Sequence, residues 1–180
     1  MKPISQMSQL ELAAYVHDHL RQQGIDVVLS GGSVVSLYSQ NLYVSKDVDL
    51  INTAFTRRPK LRRAMETLGF KEQGRHFLHP ESAHIVEFPE GPLSVGAEPV
   101  KEIREITFET GVLRVISPTD CVKDRLCAYY FWNDLQSLEQ AVLVFGQNPI
   151  DLGEVERWSR VEDKLEQFMN FKSRIGDLKN

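Results

Sequence analysis

The sequence has little cysteine, no long apolar run and no strong excess of charge of one sign. Its two cysteines, Cys121 and Cys127, exclude a disulfide framework, and nothing near them has the spacing of a zinc site. No window approaches the roughly 18 consecutive apolar residues of a membrane span, and no apolar segment of signal-peptide length follows Met1. The net charge of −4 argues against a surface covered entirely by nucleic acid. We therefore expect a cytoplasmic protein with no membrane partner.

Hydrophobic residues make up 42% of the 180-residue chain, which is enough for a packed core. This length predicts one domain of ordinary size with a small appended helical piece. We place an α/β core in residues 1–116 and a helical subdomain in residues 117–180.

Periodicity and capping signals give the expected order of helices and strands. Ser8 with Glu11 forms a capping box, and Gly24, Gly69 and Gly146 are expected to end helices. Helices are predicted over residues 8–23, 34–39, 59–68, 118–132, 134–145 and 151–174. Strands are predicted over residues 26–30, 47–51, 76–79, 84–88, 103–108 and 112–116. The pattern predicts a mixed central sheet flanked by helices and followed by a three-helix tail.

The segment after the first predicted strand has the composition of a phosphate-binding loop. Gly31 and Gly32 let a phosphate chain approach the backbone, and the helix that follows aims free N–H groups at an anion. Ser33 adds a hydroxyl donor. The alternative interpretation is a simple tight turn.

A pair of carboxylates lies on the next predicted strand. Asp47 and Asp49 are two residues apart, so both side chains project from one face of the strand. Neighbouring carboxylates repel each other unless a cation lies between them, and Mg²⁺ prefers carboxylate and phosphate oxygens. The sequence therefore predicts a site for Mg²⁺ and a nucleoside triphosphate, against the alternative of a solvated strand face.

A run of cations precedes the next helix. It consists of Arg57, Arg58, Lys60, Arg62 and Arg63. Cations at a helix N-terminus oppose the helix dipole. That cost favours contact with a polyanion such as RNA phosphates or the nucleotide, although a run of like charges is also typical of a solvated face.

The loop and the carboxylates together resemble the signature of the nucleotidyltransferase superfamily, in which a Gly-Gly or Gly-Ser turn precedes Asp-x-Asp on the adjacent strand. The resemblance covers residues 27–134 and implies the nucleotidyltransferase fold. It implies two bound Mg²⁺ ions and a third acidic ligand on a later strand, for which Glu87 is the best match and Glu109 a weaker one. It also implies a lysine on the helix of SPTDCVKDRLCAYYFWND that approaches the triphosphate, here Lys123.

The same segment resembles the small bacterial nucleotidyltransferase-like toxins of abortive-infection and toxin–antitoxin systems. That resemblance implies transfer of a nucleoside monophosphate to an acceptor, which is RNA (with tRNA favoured), a protein or a small molecule, and it allows an antitoxin protein as partner. Gly32 and Ser33 would hold the phosphates, Glu87 would orient or deprotonate the acceptor, and Lys123 would neutralise pyrophosphate unless it pairs with Asp120 or Asp124. Two alternatives stay open: a nucleotide-binding module without transfer activity, and a drug-modifying transferase.

Overall fold

A computed structural model describes residues 2–177. Residue 1 and residues 178–180, which belong to the ends of the two predicted domains, lie outside the described residues. The chain divides into two compact units. The first comprises residues 2–33, 45–93 and 103–116, and the second comprises residues 34–44, 94–102 and 117–177.

Most of the predicted elements are present, with small shifts at their ends. Over residues 2–177 the helices α1 to α7 are Gln9–Gln22, Gly31–Tyr38, Arg58–Thr67, Pro118–Trp132, Leu135–Gln147, Leu152–Val161 and Leu165–Asp177. The strands β1 to β9 are Val27–Ser30, Asp47–Asn52, Lys71–Gln73, His76–Leu78, Ile85–Glu87, Ser94–Val95, Glu98–Pro99, Ile103–Phe108 and Gly111–Ile116.

The first unit is built on one mixed sheet with strand order β3-β4-β5-β2-β1-β9-β8. The pairs β1–β9 and β2–β5 are parallel, and the other neighbours are antiparallel. Helix α1 packs on β1, β2 and β9 through a buried face that includes Leu12, Val16 and Leu20. All four residues of β1 are buried, as expected for a central strand. This arrangement puts β2, the strand that carries the two aspartates, between β1 and β5.

The second unit is a helical assembly with the short hairpin β6–β7. Helix α4 packs against α5 and α6, and α7 packs against the same two helices. Trp158 is fully buried, stacks on Tyr130 with ring centroids 5.5 Å apart, and donates its indole N–H to Val95 O at 3.2 Å. The indole therefore satisfies its one polar group while its rings fill the core of this unit.

Two predicted helix ends in the C-terminal region are wrong. Helix α5 continues through Gly146 to Gln147, and the amide of Asn148 then donates to Val144 O at 2.8 Å. The predicted single helix over residues 151–174 is two helices, α6 and α7, so the tail has four helices rather than three. The break lies at Asp163, whose φ is 56°.

The break has the hydrogen bonds of a Schellman motif, with Asp163 in the place where glycine is usual. Lys164 N donates to Ser159 O at 2.8 Å and Asp163 N donates to Arg160 O at 3.2 Å.

Strands β3, β6 and β7 were not predicted, because they are two or three residues long and β3 is wholly polar. Among the described residues no helix is both long and apolar enough to cross a membrane.

Candidate active site

The end of β1 brings the glycine loop against the aspartate strand. Ser30 is the register partner of Asp49 across the antiparallel β1–β2 pair, and helix α2 begins at the next residue, Gly31. Gly31 has φ +66°, and a β-carbon built on it would collide with Asp49 Oδ2 and lie 3.1 Å from Asp49 Cγ. Glycine is therefore required here twice, for its left-handed backbone and for its missing side chain.

The two aspartates share one face of β2. Asp47 and Asp49 are half-buried, whereas Val48 and Leu50 between and after them are fully buried. Since alternate residues of a strand point to opposite faces, both carboxylates project on the side away from Val48 and Leu50. The juxtaposition of Gly31 and Asp49 at the start of α2 is the geometry that a phosphate-and-cation site needs.

Ser33 contacts the aspartate strand through its hydroxyl. The side chain is fully buried, and Oγ donates to Asp47 O at 2.5 Å. Because the hydroxyl proton is engaged there, the side chain fixes the glycine loop to β2. A phosphate contact by Ser33 stays a prediction, and its backbone N–H is the group that suits it.

The amide of Gln9, a residue that the sequence analysis did not single out, completes this junction. Its Nε2 lies 2.9 Å from Ser45 O, 2.9 Å from Asp47 O and 3.5 Å from Ser33 Oγ. Gln9 is buried in the first turn of α1. One helix side chain thus ties together the glycine loop and the segment leading into β2.

Glu87 lies beside Asp49 on the neighbouring parallel strand. The register pairs Asp47 with Ile85 and Asp49 with Glu87, so Glu87 points to the same face as the two aspartates. Its carboxylate is also held from the other side, with Oε1 2.5 Å from His76 Nε2 and Oε2 3.4 Å from Arg75 Nε. The strand pair β4–β5 places His76 opposite Glu87, a contact that the sequence pattern did not indicate.

The donor set fits a divalent cation at the two aspartates. Asp47 and Asp49 offer carboxylate oxygens on one face, and the Asp49 carboxylate packs against Gly31. Glu87 has a suitable register but is engaged by His76 and Arg75. Over residues 2–177 no three ligating side chains are gathered as a complete metal site. Asp47 and Asp49 are the residues that would suit Mg²⁺, and Glu87, which His76 engages in this structure, stays a predicted third ligand.

The basic run divides into two sets. Arg58 and Arg62 both pair with Glu72 on β3, at 2.6 and 3.6 Å, and Arg58 also lies over the Phe77 ring. Arg57, Lys60 and Arg63 are exposed and form no ion pair with any described residue. Over residues 2–177 the second set is therefore free of a competing carboxylate, whereas Arg58 and Arg62 share Glu72.

Lys123 belongs to the second unit and is only 2% exposed. Its Nζ lies 3.4 Å from Asp120 Oδ1 and 3.2 Å from Glu154 Oε1. Arg157 also binds Glu154, and its hydrogen bond is the main cause that lowers the pKa of Glu154 to about 2. These contacts give Lys123 a structural role in this unit, while its approach to a triphosphate stays a prediction.

The second unit also has an acidic cavity of about 270 Å³. Its lining includes the four carboxylates Glu102, Asp120, Asp151 and Glu154 together with Lys101. Asp120 lies in the first turn of α4, Asp151 is the N-cap residue of α6 and Glu154 lies in the first turn of α6. The positive ends of these two helix dipoles therefore stabilise part of the negative charge.

The mixed sheet, the helices on it and the glycine–aspartate junction define a nucleotidyltransferase fold, which confirms the predicted fold class. No protein-family model matches the chain, and no curated protein matches its sequence. The crystal structure of ANT(2")-Ia in complex with adenylyl-2"-tobramycin has a similar fold, with a TM-score of 0.51 and 15% identity over 93% of this chain and 99% of that chain. The solution structure of the antibiotic-resistance factor ANT(2'')-Ia gives a TM-score of 0.47 at 16% identity, over 92% of this chain and 91% of that chain.

Proposed function

We propose that this protein is a nucleotidyltransferase that moves a nucleoside monophosphate from a nucleoside triphosphate to a hydroxyl group of an acceptor. The observation that carries the proposal is the contact between Gly31 and Asp49, with Glu87 next to Asp49 in register. A glycine at the start of a helix, two aspartates and a glutamate lie on adjacent elements of one sheet, and this arrangement supports the proposal. The fold shared with ANT(2")-Ia supports the same class of reaction.

Each residue in the site has a defined task in this proposal. The backbone N–H groups of Gly31, Gly32 and Ser33 at the start of α2 bind the phosphates. Asp47 and Asp49 hold Mg²⁺, which when bound neutralises phosphate charge. Glu87 orients the acceptor hydroxyl and takes its proton as the oxygen bonds to the α-phosphorus and the bond to pyrophosphate breaks. Lys123 stays a proposed partner of the leaving pyrophosphate.

The first acceptor class is a polyanion such as RNA. The exposed cations Arg57, Lys60 and Arg63 support it, because phosphate contacts supply most of the affinity in sequence-independent binding. An antitoxin partner rests on the sequence resemblance to the toxins alone.

The second acceptor class is a small polycation, as in a drug-modifying transferase. Two observations favour it: ANT(2")-Ia was crystallised with adenylyl-2"-tobramycin, and the cavity of the second unit is lined by Glu102 and Asp151 in addition to the ion-paired Asp120 and Glu154. Carboxylates in a concave site favour ammonium groups.

The test is transfer of label from each of the four nucleoside triphosphates to bulk tRNA, to the protein itself and to a panel of aminoglycosides. We expect labelling of one acceptor class, with loss of both triphosphate affinity and labelling in the Asp47→Asn/Asp49→Asn double variant. Glu81→Gln, at an exposed turn outside the candidate site, is the control. Triphosphate binding without any pyrophosphate release would instead identify a nucleotide-binding module without transfer activity.

A further inference from the structure

The loop after β2 holds a bulky aromatic side chain in an unfavourable and exposed position. Phe55 has φ 51° and its side chain is 74% exposed. A left-handed backbone is rare for a bulky residue, and exposure of a phenyl ring to water gives no compensating burial. Strain of this kind is typical of residues retained for a function.

The backbone of the loop is held in place by Asn52. Asn52 Nδ2 donates to Thr56 O at 2.8 Å, and Thr56 N donates to Asn52 Oδ1 at 3.1 Å. Thr53 N donates to Asp26 O at 3.0 Å, which anchors the start of the loop. Phe55 is therefore presented by a closed turn rather than by an open loop.

Phe55 forms one wall of a cavity at the end of β2. The cavity has a volume of about 250 Å³, and Arg58, Phe88 and Glu90 contribute to its other walls. A neighbouring cavity of about 680 Å³ shares those three residues and also includes Glu87. A ligand packed on Phe55 thus lies next to the space that Glu87 faces.

Three cations follow the ring at the start of α3. Arg57 is the N-cap residue of the helix and has an extended backbone, whereas Lys60 and Arg63 lie within the helix, three residues apart and therefore neighbours on its surface. We call these three residues the stripe. None of the three has an ion-pair partner in residues 2–177, unlike Arg58 and Arg62, which share Glu72. No carboxylate of the described residues therefore offsets the positive charge of the stripe.

We propose that Phe55 and the stripe of Arg57, Lys60 and Arg63 bind a single-stranded polynucleotide, with a base stacked on Phe55 and the adjoining phosphates on the stripe. A single strand is required because only an unpaired base presents its face to an aromatic ring. This inference rests on the proposed function and deepens it by assigning a polynucleotide as the acceptor. In this proposal the terminal nucleoside of the polynucleotide occupies the cavity beside Phe55, and its hydroxyl group faces Glu87.

The first test uses the opposite effects of Phe55 variants on stability and binding. Phe55→Asn should raise the urea midpoint, because asparagine tolerates the left-handed backbone, and should weaken binding of a fluorescent single-stranded oligonucleotide roughly five- to 150-fold. Phe55→Trp retains an aromatic face and should bind within a few-fold of the parent protein. Unchanged binding in Phe55→Asn would overturn the stacking role.

The second test separates the stripe from its ion-paired neighbours. Lys60→Gln and Arg63→Gln should each flatten the salt dependence of oligonucleotide binding by about 0.7 in log–log slope. Arg62→Gln, one residue away on the same helix and paired with Glu72, is the matched control and should change the slope much less. Equal changes in all three variants would show general attraction to net charge and would contradict a defined stripe.

The choice of probes distinguishes the polynucleotide source and the competing class of partner. RNA and DNA oligonucleotides of one sequence are compared in the absence of triphosphate, with polyglutamate as an acidic peptide. Tighter binding of polyglutamate, unaffected by Phe55→Asn, would refute the proposal in favour of a protein partner. Transfer to a small acceptor without oligonucleotide binding would overturn this inference and leave the proposed function intact. Oligonucleotide binding without triphosphate binding would overturn the proposed function and leave the binding surface of Phe55 and the stripe intact.

Discussion

The carboxylate of Asp49 occupies the space that a β-carbon on Gly31 would fill. This contact joins the last residue of β1, the first residue of α2 and the centre of β2, because Ser30 and Asp49 are register partners. The glycine loop and the aspartate strand are therefore packed against each other. A change at Gly31 must alter both.

Replacing Gly31 by alanine tests that coupling. Gly31 and Gly24 have nearly equal φ values, +66° and +67°, but a β-carbon on Gly24 meets nothing within 4 Å. Each alanine variant should lose about 1–2 kcal/mol through left-handed strain. Gly31→Ala should lose more, because Asp49 must move, and should also lose triphosphate affinity. The measurements are urea unfolding and calorimetric titration, and equal behaviour of the two variants would contradict the contact.

The helix ends show how far local sequence signals extend. Gly24 and Gly69 both have positive φ and were predicted as helix stops, since glycine is the usual residue at that position. Asp163 makes the same hydrogen-bond pattern at the end of α6, but aspartate inside a run of helix-forming residues gives no such signal. The predicted stop at Gly146 failed by one residue, because glycine lowers the helix propensity of a position but does not by itself end a helix.

In the candidate site, contacts between residues that are far apart in the sequence could not be predicted either. Alternation in β2 predicted the shared face of Asp47 and Asp49 from local sequence alone. Gln9 lies 36 and 38 residues before the carbonyl groups that it binds, and it reads in the sequence as an ordinary polar residue of a first helical turn. His76 gains its role only through the pairing of β4 with β5. Contacts of this kind depend on topology, which periodicity does not specify.

Replacing Glu87 by glutamine tests the third acid. The change keeps the shape of the side chain and removes the charge that faces Asp49 and His76. We expect transfer to fall by about 10²–10⁴-fold, the usual contribution of a general base, with a smaller change in triphosphate affinity. His76→Gln, which leaves the carboxylate in place, should lose less. Unchanged transfer in Glu87→Gln would remove Glu87 from the reaction.

Lys123 can be tested against a matched surface lysine. Lys123→Met leaves Asp120 and Glu154 without their buried cation and should cost about 3 kcal/mol of stability. Lys101→Met removes a 65% exposed lysine that also faces Glu154, and should cost less than about 1 kcal/mol. The triphosphate affinity of folded Lys123→Met then decides its second role. A ten- to hundredfold loss supports a phosphate contact, and unchanged affinity leaves a structural role alone.

His17 provides a prediction about pH. It is fully buried on α1, its Nδ1 lies 2.6 Å from Val112 O, and its Nε2 has no hydrogen-bond partner among the described residues. Burial lowers the pKa of His17 below its usual range, and the nearby Arg114 and Arg21 act in the same direction, whereas the bond to Val112 and the charge of Asp18 oppose it.

The folded protein therefore holds His17 neutral at a pH where the unfolded chain has already taken up a proton. Between the ordinary histidine pKa of about 6.5 and the lower folded value, the unfolded state binds more protons, so stability must fall as pH falls. The slope from this group is at most about 1.4 kcal/mol per pH unit. His17→Gln keeps a donor for Val112 O and cannot titrate, so its stability should decline less between pH 8 and pH 5.5. Urea midpoints of the two proteins measure the difference between their pH dependences. The carboxylates are the same in both proteins, so their contribution to the pH dependence cancels in this comparison. Equal declines of the urea midpoint with pH in the two proteins would show that folding does not lower the pKa of His17.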